Sequence, residues 1–318
     1  MRKVIGIDIS KASFDISYPL KSGLFHHEKF SNDLNGYKSF KKLISAEDLC
    51  VMEASGPYYL KLAFYLHEQQ FKVAVVNPLQ IKHFVRMRMV KTKTDKKDAQ
   101  MIASYGEQEH PGLWAPDHSH ISKLQQIHTA IEGLHKQASI LINQLEAFDQ
   151  LPDYDRGLNR VLRNLLKSLK GKISKLEDRM EEITLMHYQD TYLALKSIPG
   201  IGKKTAIMLI ALTNNFSNFN SSKKLSAYVG LAPRIFESGT SIKGKGHITK
   251  MGNRHLRKLL YMCAWTAKKN NQQCKQMYER LKKKGKPEKL IKIAIANKLL
   301  RQAYGVGTTH LHYQNNYC

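Results

Sequence analysis

The chain is poor in cysteine, in acidic residues and in long apolar runs. Of its 318 residues four are cysteine, and Cys50, Cys263, Cys274 and Cys318 form no CxxC pair. Thiols scattered in this way fit neither a disulfide framework nor a cysteine-rich zinc site, and they are expected to be reduced, as in the cytoplasm. No run of ~18 apolar residues occurs, which excludes a membrane-spanning helix. The opening MRKVIGIDIS has too short an apolar stretch for a signal peptide before it meets Asp8. Acidic residues are scarce: 26 Asp and Glu stand against 51 Lys and Arg, a formal net charge of +25. A surplus of that size points to a polyanionic partner, with nucleic acid first and a nucleoid-associated, cytoplasmic location as the corollary.

What is present supports packed cores. Hydrophobic residues make up 42% of the chain and no low-complexity tract occurs, so global disorder is not expected. The length suits two or more domains of roughly 100–200 residues. Residues 3–9 (KVIGIDI), 14–18 (FDISY) and 24–30 (LFHHEKF) read as three antiparallel strands joined by tight turns. A polar helix is predicted at about 35–45 and a short buried strand at 49–53, ending on Glu53. A helix started by Pro57 follows, then a strand over 71–78 stopped by Pro78. Three antiparallel and at least two parallel strands, alternating with helices, make an α/β domain of ribonuclease-H-like pattern.

The middle changes period. Leu124, Ile131, Ala138 and Leu145 step by seven, as do Ile127, Leu134 and Leu141. After an interruption at Asp153 and Gly157, a second seam runs through Leu162, Leu169, Leu176 and Ile183, with Leu166, Ile173 and Met180 beside it. These seams predict an antiparallel coiled-coil arm; an ordinary bundle core is the alternative. From Ser197 the sequence SIPGIGKKTAIMLIALT looks like a helix-hairpin-helix. Its turn at Gly200 and Gly202 would offer backbone N–H groups to a DNA phosphate, with Lys203 and Lys204 in support. A helix through KKLSAYVGLAPR, a polar loop from Phe236 to Asn253, and helices over 254–266 and 287–304 complete a mostly helical C-terminal part. The expected domains are 1–110, a coiled-coil arm over 111–190, and 191–318. The segment from Gln108 to Ser122 carries no recognisable motif, and HLHYQNNYC reads as a loose tail in which His310 and His312 hold no metal.

Two groups of residues carry chemistry. Asp8 and Glu53 end strands that neighbour each other in a ribonuclease-H-like sheet. Asp95 and Asp98 share one face at a helix start. Taken singly, Asp95 reads as an N-cap and Asp98 as a first-turn carboxylate. Together the four acids suit Mg²⁺ or Mn²⁺, which stabilises charge on a phosphoryl group. A basic stretch through Lys82, His83, Arg86, Arg88, Lys91, Lys93 and Lys97 is the natural bed for a nucleic-acid backbone beside them. The second group is the loop bearing Ser238, Thr240, Ser241 and Thr249 among Lys243, Lys245, Lys250, Arg254, Arg257 and Lys258. A hydroxyl there suits attack on a phosphodiester, although composition alone favours a passive phosphate-binding loop. His247 reads as a solvated loop histidine.

GIDISK at 6–11, MEASGPY at 52–58 followed by KTDKKDA, and IPGIGKKTA followed by GLAPR and IFESGTSIKGKGHITKMGNRHLRKLLY resemble the Piv/MooV-like DEDD transposases, the insertion-sequence one-ten family of recombinases. The resemblance runs from Val4 to about Gly305. It implies a RuvC-like N-terminal domain, a coiled-coil arm and a C-terminal transposase domain. It also implies that Asp8, Glu53, Asp95 and Asp98 are the DEDD metal ligands and that Ser238, with Ser241 ranked second, is the nucleophile. The activity implied is metal-assisted cutting and rejoining of DNA through a phosphoserine link, by an oligomer bridging donor and target DNA. A structured RNA encoded by the element guides members of the transposon branch, while the Piv branch inverts DNA segments. Three rival readings remain at this point: a RuvC-like Mg²⁺-dependent DNA or junction nuclease that leaves Ser238 idle, a non-catalytic nucleic-acid scaffold, and an actin-like or sugar-kinase-like ATPase. The last lacks a second Gly-rich phosphate strand.

Overall fold

A computed structural model describes residues 2–92, 94–234 and 247–315, together with the backbone at 237–238 and 242–243. The chain divides into two compact units, Met1–Pro116 and Asp117–Cys318.

The first unit is built on one sheet. Strands β1 (Val4–Ile9), β2 (Ser13–Pro19), β3 (Phe25–Ser31), β4 (Leu49–Glu53) and β5 (Lys72–Val76) lie in the order β3-β2-β1-β4-β5. The β1–β2 and β2–β3 pairs are antiparallel, whereas β1–β4 and β4–β5 are parallel. This mixed α/β arrangement has the strand order expected of a ribonuclease-H-like sheet. Strand side chains alternate between faces, and the two faces bury different clusters. Ile5, Ile7, Phe14, Ile16 and Met52 pack with Phe40 of α1 (Leu34–Lys41) and Leu62 of α2 (Tyr59–Glu68). Leu49, Val51, Ala74 and Val76 pack with Phe84 of α3 (Pro78–Met87) and Ile102 of α4 (Asp95–Glu109).

Pro78 does more than stop β5. It takes the first position of α3, where its missing N–H costs nothing, and Asn77 Oδ1 accepts from the Leu79 N–H at 2.9 Å as the cap. Lys82, His83 and Arg86 therefore belong to a helix. The cap of α4 is Thr94, whose hydroxyl accepts from the Lys97 N–H at 3.2 Å, so Asp95 is a first-turn residue rather than the cap.

Gly6 determines how closely α4 lies on the sheet. A Cβ at Gly6 would stand 2.1 Å from the Ala99 carbonyl oxygen and 2.2 Å from the Ala103 nitrogen, both backbone atoms that cannot swing aside. Gly6→Ala is therefore expected to push α4 away from β1, at a cost of about 3 kcal/mol or more. Thermal unfolding measures it, and a melting temperature equal to wild type would show that the helix is free to shift.

The second unit is helical. Two long helices, α5 (Ser119–Phe148) and α6 (Arg156–Lys196), pack on each other and join a core with α7 (Lys203–Thr213), α8 (Ser222–Val229), α9 (Arg254–Asn270) and α11 (Glu288–Thr309). The seven-residue steps coincide with burial: Leu124, Ile131, Ala138 and Leu145 are buried on α5, and Leu169, Ile173 and Met180 on α6. At the turn between them Arg163 Nη2 reaches Asp149 Oδ2 at 3.1 Å, and Asn159 Nδ2 donates to Asp149 Oδ1 at 3.2 Å. Helix α6 departs from helical geometry at Tyr188 and then continues to Lys196.

Three expectations for this unit need correction. Helix α10 (Gln272–Lys283) was not anticipated: eight of its twelve residues are Gln, Lys, Arg or Glu, and Cys274 is its one fully buried residue. The stretch after His310 is docked rather than loose as far as Asn315. The Tyr313 N–H donates to Ser197 Oγ at 2.7 Å, and His310 Nδ1 lies 3.1 Å from Thr191 Oγ1. The polar segment of residues 236–253 includes short antiparallel ladders. Strand β6 (Pro233–Arg234) pairs with β9 (His247–Ile248), and β7 (Glu237–Ser238) pairs with β8 (Ile242–Lys243).

Candidate active site

The register of the sheet brings the first carboxylates together. Ile7 pairs with Met52 across the parallel β1–β4 ladder, so Asp8 is followed in register by Glu53. Asp8 pairs with Asp15 across the antiparallel β1–β2 ladder. Paired residues share a face; Asp8, Glu53 and Asp15 thus project from the same side as Gly6, the side that α4 covers. Because Ala99 and Ala103 sit over Gly6, and Gly106 over Val4 and Val51, α4 runs against the direction of β1. Its first turn, with Asp95 and Asp98, comes to the strand end that bears Asp8.

The electrostatics agree with that placement. Burial, then the carboxylates of Asp98, Asp95, Glu53 and Asp15, push the Asp8 carboxyl up to about 6. Like charges this close are tolerated only when a proton or a cation offsets them. Lys29 supplies part of the offset, with Nζ 3.5 Å from Asp15 Oδ2 and 3.9 Å from Asp95 Oδ2. Buried Asp15 is further held by His27 Nε2 at 2.8 Å. Neither Asp15 nor Lys29 was anticipated from the sequence. The available signal was Asp15 as the one acid in the alternating FDISY strand, on the face opposite Phe14 and Ile16. The oxygens of Asp8, Glu53, Asp95 and Asp98 are not drawn within 4.8 Å of one another as a group; among the described residues that closeness is reached by His128, Glu132 and His255. The donor set at Asp8 is entirely hard oxygen, carries surplus negative charge and holds one carboxyl poised to protonate, which fits a hard divalent cation.

The cations and glycines expected from the sequence to meet nucleic acid lie in both units. Arg86, Arg88 and Lys91 are exposed on the end of α3 and the turn after it, and Lys93 lies outside the described residues. In the second unit, Gly200 adopts φ +108° and leaves no room for a Cβ, which would meet Ala267 Cβ at 2.7 Å. Gly202 is exposed and caps α7. Lys203 and Lys204 are not unengaged. Lys203 pairs with Glu181 and, at 3.7 Å, with Asp178, while Lys204 Nζ lies 2.8 Å from Glu177. Pairs this exposed are worth under about 1 kcal/mol, so a phosphate can displace them.

Ser238 is the last residue of β7, and its backbone pairs with Ile242. The side chains of Ser238 and Lys243, and the whole of Ser241 and Lys245, lie outside the described residues. The root of this segment is firm: the Asn253 N–H donates to the Tyr228 carbonyl at 2.8 Å, and the Thr249 N–H to Ala232 at 3.2 Å. Arg257 Nη1 donates to the Val229 carbonyl at 2.8 Å. Lys250, Arg254 and Lys258 are exposed around that root. No helix of the described residues is long and apolar enough to cross a membrane.

Comparison with known proteins gives these arrangements a context. A DEDD-type transposase family model named for IS110 matches residues 5–151, and the model described as Transposase IS116/IS110/IS902 family matches residues 192–279. A pilin gene-inverting protein of Moraxella lacunata is 32% identical over 311 residues, which cover 95% of this chain and 94% of that protein. Its counterpart in Moraxella bovis has the same identity and coverage. A transposase for insertion sequence element IS1328 of Yersinia enterocolitica is 25% identical over 294 residues, 82% of each chain. With both domains matched in order, and a likeness running almost end to end, the chain belongs to the IS110 family of DEDD transposases.

Proposed function

We propose that the protein is a DNA recombinase that cuts and rejoins DNA at the carboxylates Asp8, Glu53, Asp95 and Asp98, with Ser238 as nucleophile. The observation that carries this reading is the shared face of Asp8 and Glu53 at the end of β1 and β4, beneath the first turn of α4. A divalent cation, Mg²⁺ or Mn²⁺, bound by these carboxylates would supply positive charge to the scissile phosphate. Lys29 keeps Asp15 and Asp95 oriented, and the helix caps fix the acids before substrate arrives. Ser238 Oγ attacks phosphorus, forming an Oγ–P bond while the sugar oxygen leaves with a proton. The hydroxyl of a second strand then attacks the same phosphorus, regenerating the serine. Bond energy is conserved in the phosphoserine link, so exchange needs no external energy source.

The remaining assignments follow the chemistry of the surfaces. The exposed N-terminus of α7, with Gly200, Gly202, Lys203 and Lys204, is read as a helix-hairpin-helix that holds a DNA backbone. The paired seams of α5 and α6 are read as a coiled-coil arm that joins copies of the chain; exposed Ile140, Val161 and Leu165 near its turn support this. Three functional parts, 1–110, 111–190 and 191–318, would then divide chemistry, assembly and DNA holding. The net charge of +25 is compatible with a structured guide RNA beside donor and target DNA. The likeness to a pilin gene-inverting protein supports inversion of a DNA segment as one outcome of the same chemistry.

The test separates binding from chemistry. Chelating divalent ions should abolish joining of a plasmid that carries the element's ends, while filter binding of the same DNA persists and weakens steeply with salt. Joining that survives chelation overturns the role given to the carboxylates.

A further inference from the structure

Among the described residues, the tightest convergence of metal-ligating atoms lies away from the acids, in the helical unit. His128 and Glu132 are one turn apart on α5, and His255 is the second residue of α9. One ligand atom from each lies within 4.8 Å of the others. His255 Nδ1 is 3.5 Å from Glu132 Oε1, and the two imidazole centroids are 4.4 Å apart. His255 Nε2 is buried with no hydrogen-bond partner, a state that ordinarily costs about as much as a lost hydrogen bond. Both imidazoles are pushed below the ordinary histidine range, first by burial, although Glu132 opposes the shift.

We propose that His128, Glu132 and His255 form a second metal site, of the zinc class, that ties the root of the serine-bearing segment to α5. Two imidazoles and a carboxylate suit zinc rather than magnesium, which prefers oxygen alone. Tetrahedral bonds of ~2.1 Å place ligand atoms about 3.4 Å apart, so small side-chain rotations close the site. A fourth position is left for water, reached from a cavity of about 240 Å³ that His128, Glu132 and Glu177 line. Because Asn253 caps α9 just before His255, a metal here would brace the end of the segment that begins near Ser238. The site makes no use of the acids at Asp8 and stands whether or not those acids bind a cation.

The probe is Co²⁺, added to untagged full-length protein after chelator treatment and in excess Mg²⁺, which keeps the carboxylates occupied. One Co²⁺ per chain is expected, with the intense visible band of a nitrogen-containing tetrahedral site, and Zn²⁺ should displace it and raise the melting temperature. The double variant His128→Asn/His255→Asn should lose the band and the thermal response, while its circular dichroism in chelator matches wild type. If that variant fails to fold, Glu132→Gln, which keeps the side-chain shape, should weaken Co²⁺ binding tenfold or more. Absence of the band in wild type, or an equal band and affinity in a folded variant, overturns the proposal.

Discussion

Asp8→Asn is expected to abolish DNA cutting and joining while making the metal-stripped protein more stable at neutral pH. With Asp8 in the proposed role of a central ligand, its loss removes several kcal/mol of charge stabilisation; about 4 kcal/mol corresponds to a thousandfold drop in rate. The stability change has the opposite sign because the Asp8 carboxyl is held up at about 6 against an ordinary value of 3.8. Between those values the folded protein keeps a proton that the unfolded chain has released. Stability from this group is thus complete below pH 4 and is lost as pH climbs through 6. Each pKa unit is worth about 1.4 kcal/mol, and partial solvent contact screens the total to about 1–2 kcal/mol. In chelator, then, wild type should lose more stability than Asp8→Asn between pH 4 and 7, and excess Mg²⁺ should reverse the order. A variant that melts below wild type in chelator at pH 7, or that still cuts DNA, contradicts the acid cluster as described.

Ser238→Ala should stop strand exchange altogether, with a loss on the order of 10⁴-fold or more, as expected when a nucleophile is removed. DNA binding should remain within a few fold, since the cations at the root of the segment are untouched. The decisive reading is covalent. Wild type stopped with detergent after incubation with Mg²⁺ and donor DNA should carry nucleotides on a tryptic peptide containing Ser238, and the variant should carry none. Attachment at Ser241 moves the nucleophile by three residues and corrects the assignment. Persistent cutting by Ser238→Ala, without any adduct, establishes a metal-dependent nuclease and removes serine from the chemistry.

Much of the first unit was legible because its strands obey a strict period of two. Alternation in KVIGIDI puts Ile5 and Ile7 on one face and Gly6 and Asp8 on the other, and the ladders then decide what meets Asp8. Glu53 could be anticipated from the order of strands. Asp15 and Lys29 could not, because their contribution depends on β1–β2 and β2–β3 register and on side chains crossing between strands. The same limit hid the grouping of His128 and Glu132 with His255. The first two are visible as a one-turn spacing, but their partner comes 123 residues after Glu132 and only the approach of the His255 side chain to α5 reveals it. Helix α10 escaped for a different reason: its short stripe of Cys274, Met277, Tyr278 and Leu281 is submerged among Gln, Lys, Arg and Glu. The seven-residue seams survive as burial because α5 and α6 each have a long partner to pack against.

The serine-bearing segment leaves the helical unit and returns to it side by side, closed at its root by the β6–β9 pair and by the hydrogen bonds from Thr249 N–H to Ala232 and from Asn253 N–H to Tyr228. Topologically the segment is an appendage clipped between α8 and α9. A chain built in this way can vary the hydroxyls and cations between residues 234 and 247 without refolding the helices on either side.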